Sequence, residues 1–274
     1  MSERTDHDIL SDMRRFLLKH RFAGRSEFHR IRGMSGADSD DREVHRSPPE
    51  SKPAGGERSI RYRSVPNEAS QADLFSSGEE VKGIDLEGLD LVELSRFVST
   101  CTRCPLSEGR TQTVFGSGSS ESKIIFIGEA PGREEDIQGL PFVGRAGQLL
   151  TKILASVGLS RDEVYITNIL KCRPPNNRDP SEEEIRACDP YLRRQIELIR
   201  PVLICALGRI AGQNLLQTNA SLSALRHGEH HYDDIRVFVM YHPAALLRNP
   251  NLKRAAWEDI QMVRRLYDEA RGGR

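Results

Sequence analysis

Short apolar runs alternate along this chain with stretches in which every third or fourth residue is apolar. The runs predict strands buried on both faces, and the stretches between them predict amphipathic helices. Because strands alternate with helices, the pattern predicts a three-layer α/β/α sandwich around a mainly parallel four-stranded sheet. Strands are predicted at residues 123–127, 164–170, 202–207 and 236–241, and helices at 89–98, 144–157, 181–199, 209–216 and 252–270.

The first 85 residues follow a different pattern. Apolar residues at helical spacing, among them Ile9, Met13 and Phe16, predict an amphipathic helix over residues 1–22. Residues 23–85 are rich in Ser, Gly, Pro, Glu and Arg, which predicts a disordered linker before a folded domain at 86–274. Within the linker, QADLFSSG at 71–78 is either a docking peptide for a protein partner or ordinary linker composition.

Charge and composition narrow the class of protein. The net charge is zero, but from Arg96 onward 25 basic and 21 acidic residues give +4, which leaves −4 on the preceding residues. A mildly basic domain thus follows an acidic arm. No apolar run approaches the roughly 20 residues of a membrane span, and the N-terminus lacks a secretory signal pattern. We therefore expect a cytoplasmic, monomeric protein without membrane contact.

Unusual chemistry is concentrated in residues 128–150, GEAPGREEDIQGLPFVGRAGQLL. Glycines and a proline break the first predicted strand, three acids follow, and the aromatic Phe142 precedes the next helix. Ligands of open α/β sheets bind beyond the carboxyl ends of such strands. The segment is therefore either a ligand-binding loop or an ordinary connector.

Five cysteines in a chain of this type favour metal or redox use over disulfides. Cys205 lies inside an apolar run and is expected in the core. The other four could meet and hold either a tetrahedral zinc ion or an iron-sulfur cluster, and their spacing does not decide between the two. These four are Cys101, Cys104, Cys172 and Cys188.

Two further strand ends carry polar side chains. The amide of Asn168 could read the O4 and N3-H edge of uracil, or it could simply cap a turn. His242 could donate to an oxyanion or be a structural histidine. After it, Leu246 or Leu247 could wedge into a base stack with Arg248 on a phosphate, unless they only begin the last helix. The HGEHH run at 227–231 is expected to form a hairpin turn and no metal site.

Together, the 128–150 loop, TNILKCRPPNNRDP, YHPAALLRNP and the cysteines resemble the family 4 uracil-DNA glycosylases, over about residues 94–268. The resemblance implies base flipping and hydrolysis of the N-glycosidic bond of uracil in DNA, the first step of base excision repair. It also implies a [4Fe-4S] cluster. Its ligands would be Cys101, Cys104, Cys172 and Cys188.

By the same resemblance, Phe142 stacks on the flipped uracil, Asn168 reads its edge, and His242 donates to uracil O2. Glu129 and Ala130 line the catalytic turn, and Glu135 belongs to an acidic patch near the sugar. Either acid is a candidate to position the attacking water. The rival hypotheses are a non-catalytic iron-sulfur protein that binds DNA or protein partners, and a zinc-stabilised nucleotide-binding module.

Overall fold

The computed structural model describes residues 85–272, which contain a six-stranded sheet with strand order β1-β3-β2-β4-β6-β5. The four inner strands are parallel to one another, and the two outer strands are antiparallel to their neighbours. The carboxyl ends of the inner strands therefore lie at one edge of the sheet. The strands are β1 Ser117–Gly118, β2 Ile124–Gly128, β3 Tyr165–Asn168, β4 Leu203–Leu207, β5 His230–Tyr232 and β6 Ile235–Met240.

The helices begin where the sequence supplies caps. Asp90 with Glu93, and Ser181 with Glu184, form capping boxes that satisfy the first backbone N–H groups of two helices. Short 3-10 turns cover Pro175–Asn177 and Pro250–Leu252. The helices are α1 Leu91–Ser99, α2 Leu106–Gly109, α3 Arg133–Gln138, α4 Arg145–Ser156, α5 Glu182–Ile199, α6 Arg209–Leu215, α7 Leu222–His227, α8 Pro243–Arg248 and α9 Lys253–Gly272.

Alternation along the strands divides the core between the two faces of the sheet. On β2, Ile125 and Ile127 pack with buried residues of α1, α5, α6 and α7, whereas Ile124 and Phe126 pack with those of α4 and α9. Every residue of β2, β3 and β4 is buried. This arrangement is the three-layer α/β/α sandwich that the sequence predicts.

All four predicted strands are confirmed as the parallel centre of the sheet. The two outer strands lack a sequence signal because each has only two or three residues. The predicted hairpin is present, but its turn lies at Asp233 and Asp234, since His230 and His231 belong to β5. Cys205 is fully buried, as expected.

The predicted amphipathic helix at 1–22 and nearly all of the predicted linker at 23–85 lie outside the described residues. Among the described helices, none combines the length and the apolar character that crossing a membrane requires.

Candidate active site

A cavity of about 580 Å³ lies at the carboxyl ends of the inner strands. Glu129 and Ala130 follow β2, Asn168 ends β3, and His242 follows β6; all four line this cavity together with Phe142. The topology of the sheet explains the meeting of residues that are more than 100 positions apart in sequence, because parallel strands bring their carboxyl ends together. The residues predicted to recognise a base thus share one pocket.

Phe142 is held in an unusual backbone conformation. Its φ is +54°, a region that non-glycine residues seldom adopt, and its side chain is buried. Two glycines make room for it: a Cβ on Gly147 would overlap the Phe142 backbone, and a Cβ on Gly128 would overlap its ring. The ring centroid lies 5.5 Å from that of His242 at an interplanar angle of 36°. The ring therefore has a fixed place in the cavity.

Asn168 presents a buried acceptor that has no partner. The residue is 1% exposed, and its Oδ1 atom is buried without a hydrogen bond. This oxygen lies so close to Gly128 that any side chain there would overlap it. An unpaired buried acceptor costs about 1–3 kcal/mol, so its retention at a cavity wall favours pairing with a ligand.

His242 is the N-cap of α8, and this role fixes its tautomer. Its Nδ1 atom accepts a hydrogen bond from the backbone N–H of Ala244 at 3.1 Å. Burial, with a smaller contribution from Arg248, lowers the pKa of His242 to about 4. The ring is therefore neutral near pH 7 with its proton on Nε2, where it can serve as a donor.

The two candidate acids occupy different environments. Glu135 Oε1 accepts the backbone N–H groups of Val143 and Gly144 at 2.9 and 2.8 Å, so this carboxylate anchors the turn after Phe142. Burial, with a smaller contribution from Asp179, raises the pKa of Glu129 to about 7, and nearby guanidinium groups oppose the shift. Glu129 carries no comparable anchoring bond among the described contacts.

Arg161, which the sequence analysis did not single out, clamps the same turn. Its guanidinium donates to the carbonyl oxygens of Pro141 at 2.7 Å and Phe142 at 3.0 Å. Arg161 lies 19 residues beyond Phe142, outside every recognised motif. No sequence signal identifies it, because the contact depends on the packing of the loop before β3.

The three predicted DNA contacts separate in the structure. Leu246 is 4% exposed and packs in the core beside α9, so it is unavailable as a wedge between bases. Leu247 is partly exposed, and Arg248 is exposed and lines the cavity. Consecutive residues of a helix point in directions about 100° apart, so Leu246 enters the core while Leu247 is partly exposed.

A second, smaller cavity gathers the four predicted cysteine ligands. Cys101 and Cys104 follow α1, Cys172 follows β3, and Cys188 lies on α5; all four thiols are free and line this cavity. Hydrogen-bond donors reach the sulfurs, for example Tyr191 Oη to Cys101 at 3.1 Å.

Cationic groups also surround the cysteine cavity. Arg110 donates to the Cys172 sulfur at 3.4 Å and to the Cys101 carbonyl at 2.6 Å. Arg103 lines the cavity with one buried guanidinium nitrogen that lacks a partner. Within residues 85–272, no three histidine, cysteine or acidic side chains stand at a spacing that would hold a single metal ion.

Comparison with known proteins gives the class to which this fold and site belong. Residues 115–261 match the Uracil DNA glycosylase superfamily. The chain is 45% identical over 186 residues to the type-4 uracil-DNA glycosylase of Archaeoglobus fulgidus, covering 65% of this chain and 92% of that protein.

Two further relatives carry the same description. The type-4 enzyme of Saccharolobus solfataricus is 46% identical over 188 residues, covering 65% of this chain and 86% of the relative. That of Thermotoga maritima is 44% identical over 180 residues, covering 64% and 94%. The chain therefore belongs to the uracil-DNA glycosylase superfamily, in its type-4 branch.

Proposed function

We propose that this protein is a uracil-DNA glycosylase that hydrolyses the N-glycosidic bond of uracil in DNA and so begins base excision repair. The observation that carries the proposal is the unpaired, buried Oδ1 atom of Asn168 in the same cavity as Phe142 and His242. Uracil has an aromatic face, an N3-H donor and carbonyl acceptors on either side of it. The three side chains offer a matching group for each of these features.

In this proposal Phe142 stacks on the base, and Asn168 reads its pairing edge. Asn168 Oδ1 accepts from uracil N3-H while its amide NH₂ donates to O4. Cytosine has an acceptor at N3 and a donor at C4, so both interactions would become repulsive. Stacking on Phe142 contributes roughly 1–3 kcal/mol, and it does not depend on the identity of the base. Asn168 therefore supplies the selectivity for uracil.

His242 and the acids address the charges that develop as the bond breaks. Negative charge grows on the departing uracil, and the Nε2-H of neutral His242 donates to its O2 atom. Positive charge grows on the sugar, and a carboxylate stabilises it and orients water. We assign this role to Glu129, because Glu135 already accepts two backbone N–H groups.

The base must leave the helix before it reaches this cavity. Extrusion costs a few kcal/mol, and contacts made by the protein offset it. We assign the wedge to Leu247 and a phosphate contact to Arg248, both at the exposed end of α8. Ala130 lines the cavity beside Glu129, where a small side chain leaves room for the nucleotide.

We propose that the second cavity holds a [4Fe-4S] cluster, which the four lining cysteines and membership of the type-4 family support. Cys101, Cys104, Cys172 and Cys188 would hold it, and the surrounding cationic groups complement a cluster whose four thiolates give it net negative charge. When bound, the group joins the segment after α1 to the segments around β3 and α5. A protein that absorbs near roughly 400 nm supports a thiolate-ligated iron cluster over zinc.

We assign to the residues before Asp85 a role in binding a protein partner and no role in base cleavage. We propose that the segment at 71–78 is a docking peptide that binds a protein partner through Leu74 and Phe75. Comparing capture of proteins by the full chain and by a Leu74→Ala/Phe75→Ala variant tests this. Equal capture by the two would contradict it. A monomeric state and a cytoplasmic location remain predictions.

The activity is tested with an oligonucleotide that contains one uracil, followed by alkali treatment and a denaturing gel. We expect strand cleavage at the uracil and none with cytosine in its place. Asn168→Ala should lower kcat/KM roughly a hundredfold to a thousandfold, as removal of one preorganised group at a reacting centre typically does. Asn219→Ala, on an exposed loop, is the matched control. DNA binding without base release would instead support the non-catalytic hypothesis.

A further inference from the structure

Lys171 is a buried lysine between the two cavities, and it takes no part in the chemistry proposed above. It is 1% exposed. Its ammonium group donates to Thr167 Oγ1 at 2.8 Å, to the Asn168 carbonyl at 2.7 Å and to Gln195 Oε1 at 2.6 Å. An ammonium has three donors, so all of them are used, and every acceptor is a neutral oxygen.

The acceptors of Lys171 are themselves fixed within the core. Gln195 lies on α5 and donates to the Phe115 carbonyl at 3.0 Å, and Thr167 donates to the same carbonyl at 2.7 Å. Both residues are fully buried. The position of the ammonium is therefore determined by strand β3 and helix α5 together, and through it the last residue of β3 is held.

Lys171 also borders the cysteine cavity. It is one of the residues that line that cavity, its backbone N–H donates to the Cys188 sulfur, and Cys172 is its neighbour in sequence. A buried charge without an opposite charge is strongly unfavourable. If the four cysteines hold an iron-sulfur cluster, their thiolates would be the nearby groups that supply the opposite charge.

We propose that Lys171 is a positioning residue that couples the cysteine cavity to the base-reading Asn168. Its charge balances the thiolates on one side, and its hydrogen bond to the Asn168 carbonyl fixes the end of β3 on the other. The inference rests on the proposed uracil-reading role of Asn168. It predicts two separate effects. The hydrogen-bond geometry of Lys171 affects uracil recognition, and the charge of Lys171 affects the retention of iron.

Three full-length variants separate these consequences. Lys171→Met removes both the charge and the hydrogen bonds. Lys171→Arg keeps the charge, but its larger planar head cannot reproduce the three short bonds. Gln195→Glu keeps an oxygen acceptor and pairs the ammonium with a carboxylate, which withdraws its charge from the thiolates; it also loses the amide donation to the Phe115 carbonyl, so its iron content is compared with that of the stability control as well as with wild type. Val263→Ala, a truncation in the core cluster on the opposite face of the sheet, is the control for lost stability alone.

Two measurements report on the two sides. Inhibition of the reaction by free uracil reports on Asn168, and the iron-to-protein ratio with visible absorbance reports on the cysteine cavity. We expect Lys171→Met to raise the uracil inhibition constant at least tenfold and to lower iron content. Lys171→Arg should weaken uracil inhibition with iron retained, and Gln195→Glu should lose iron with uracil inhibition within about twofold of wild type.

The outcomes are decisive in either direction. Uracil inhibition in Lys171→Arg and Lys171→Met equal to that of Val263→Ala overturns the positioning role. Iron content in Gln195→Glu equal to that of wild type overturns the charge coupling. If Lys171→Met does not fold, the other two variants decide. A wild-type protein that does not cleave uracil-containing DNA overturns the proposed function itself.

Discussion

At the scale of single residues, the hydrogen bonds of two side chains characterise the cavity. One side chain has an atom without a hydrogen-bond partner, and the other has an atom whose partner is fixed. The His242 ring must donate through Nε2 because its Nδ1 atom caps a helix. The unpaired Oδ1 atom of Asn168 has room beside Gly128, because glycine has no side chain that would overlap this oxygen. Such groups are costly to maintain in the absence of a ligand, and their presence together marks the cavity as a recognition site.

Glu129 should give the reaction its pH dependence. Its pKa of about 7 means that the carboxylate forms as the pH rises through 7, so kcat/KM should rise about tenfold per pH unit below 7 and level off above it. His242, with a pKa of about 4, stays neutral throughout this range. Glu129→Gln should remove the rise and lower the plateau. A variant that keeps the wild-type profile would exclude Glu129 as the titrating group.

The raised pKa of Glu129 also makes the stability of the fold depend on pH. The folded-state pKa lies above the ordinary value of 4.5, so folding favours the protonated acid. This contribution is present below pH 4.5 and is lost as the pH rises through 7. Thermal unfolding should therefore show Glu129→Gln to be more stable than wild type at pH 8 and not at pH 4.

Arg161 should matter for binding the base even though it contacts the Phe142 turn only through two backbone carbonyls. Replacing Arg161 with Met removes both bonds to the Phe142 turn, and we expect KM for uracil-containing DNA to rise roughly fivefold as part of the stacking energy is lost. Steady-state kinetics would measure this. Arg186→Met, at an exposed position on α5, is the control and should leave KM unchanged.

At the scale of elements, the loop between β2 and α4 works as one unit. Gly144 is the N-cap of α4 and has no side chain to cap it, and Glu135 from α3 accepts the backbone N–H groups of Gly144 and of Val143 before it. The carboxylate also lies at the positive end of the helix dipole. Glu135 thus connects the start of α4 to the turn that follows Phe142.

Glu135 and Glu129 can be distinguished by matched substitutions. If Glu135 acts as a cap, Glu135→Gln retains an acceptor oxygen and should keep most activity, whereas Glu135→Ala should cost about 1–2 kcal/mol of stability and weaken base binding. Glu129→Gln should lose activity without losing stability. Urea unfolding with single-turnover rates measures both properties. A greater loss of rate in Glu135→Gln than in Glu129→Gln would reverse the assignment.

The elements also show where sequence reasoning succeeds. The inner strands, α5 and the meeting of Phe142, Asn168 and His242 could be predicted, because apolar runs, capping residues and spaced motifs are local signals. The edge strands are too short to have a pattern. The anchoring by Glu135, the clamp by Arg161 and the burial of Leu246 could not be predicted, since each depends on which distant segment packs beside it.

At the scale of the whole molecule, a buried ion pair joins two helices that pack on opposite faces of the sheet, near the strand end that carries His242. Arg226 on α7 donates to both oxygens of Asp259 on α9, at 3.0 and 2.7 Å, and both side chains are almost fully buried. The guanidinium also lies 4.0 Å from the centre of the Tyr241 ring, one residue before His242. The pair therefore connects the packing of α9 to the strand end that carries His242.

Asp259→Ala should lower the free energy of unfolding by about 3–5 kcal/mol, because it leaves a buried guanidinium without its partner. Glu258→Ala, at the adjacent exposed position, should change it by less than about 1 kcal/mol. Urea unfolding would measure the two changes. A double variant, Arg226→Met with Asp259→Leu, should recover most of the loss; if it unfolds as readily as Asp259→Ala, the cost arises from packing instead of the unpaired charge.

The central position of β2 also sets the order in which the chain can fold during synthesis. Ile125 pairs with Tyr165, 40 residues further on, but Ile124 on the same strand pairs with Leu203, 79 residues further on. All four cysteines of the second cavity precede β4. The ribosome therefore delivers the complete cysteine set while β2 still has one open, apolar edge. Until β4 arrives, that edge is the part of the nascent chain most exposed to aggregation.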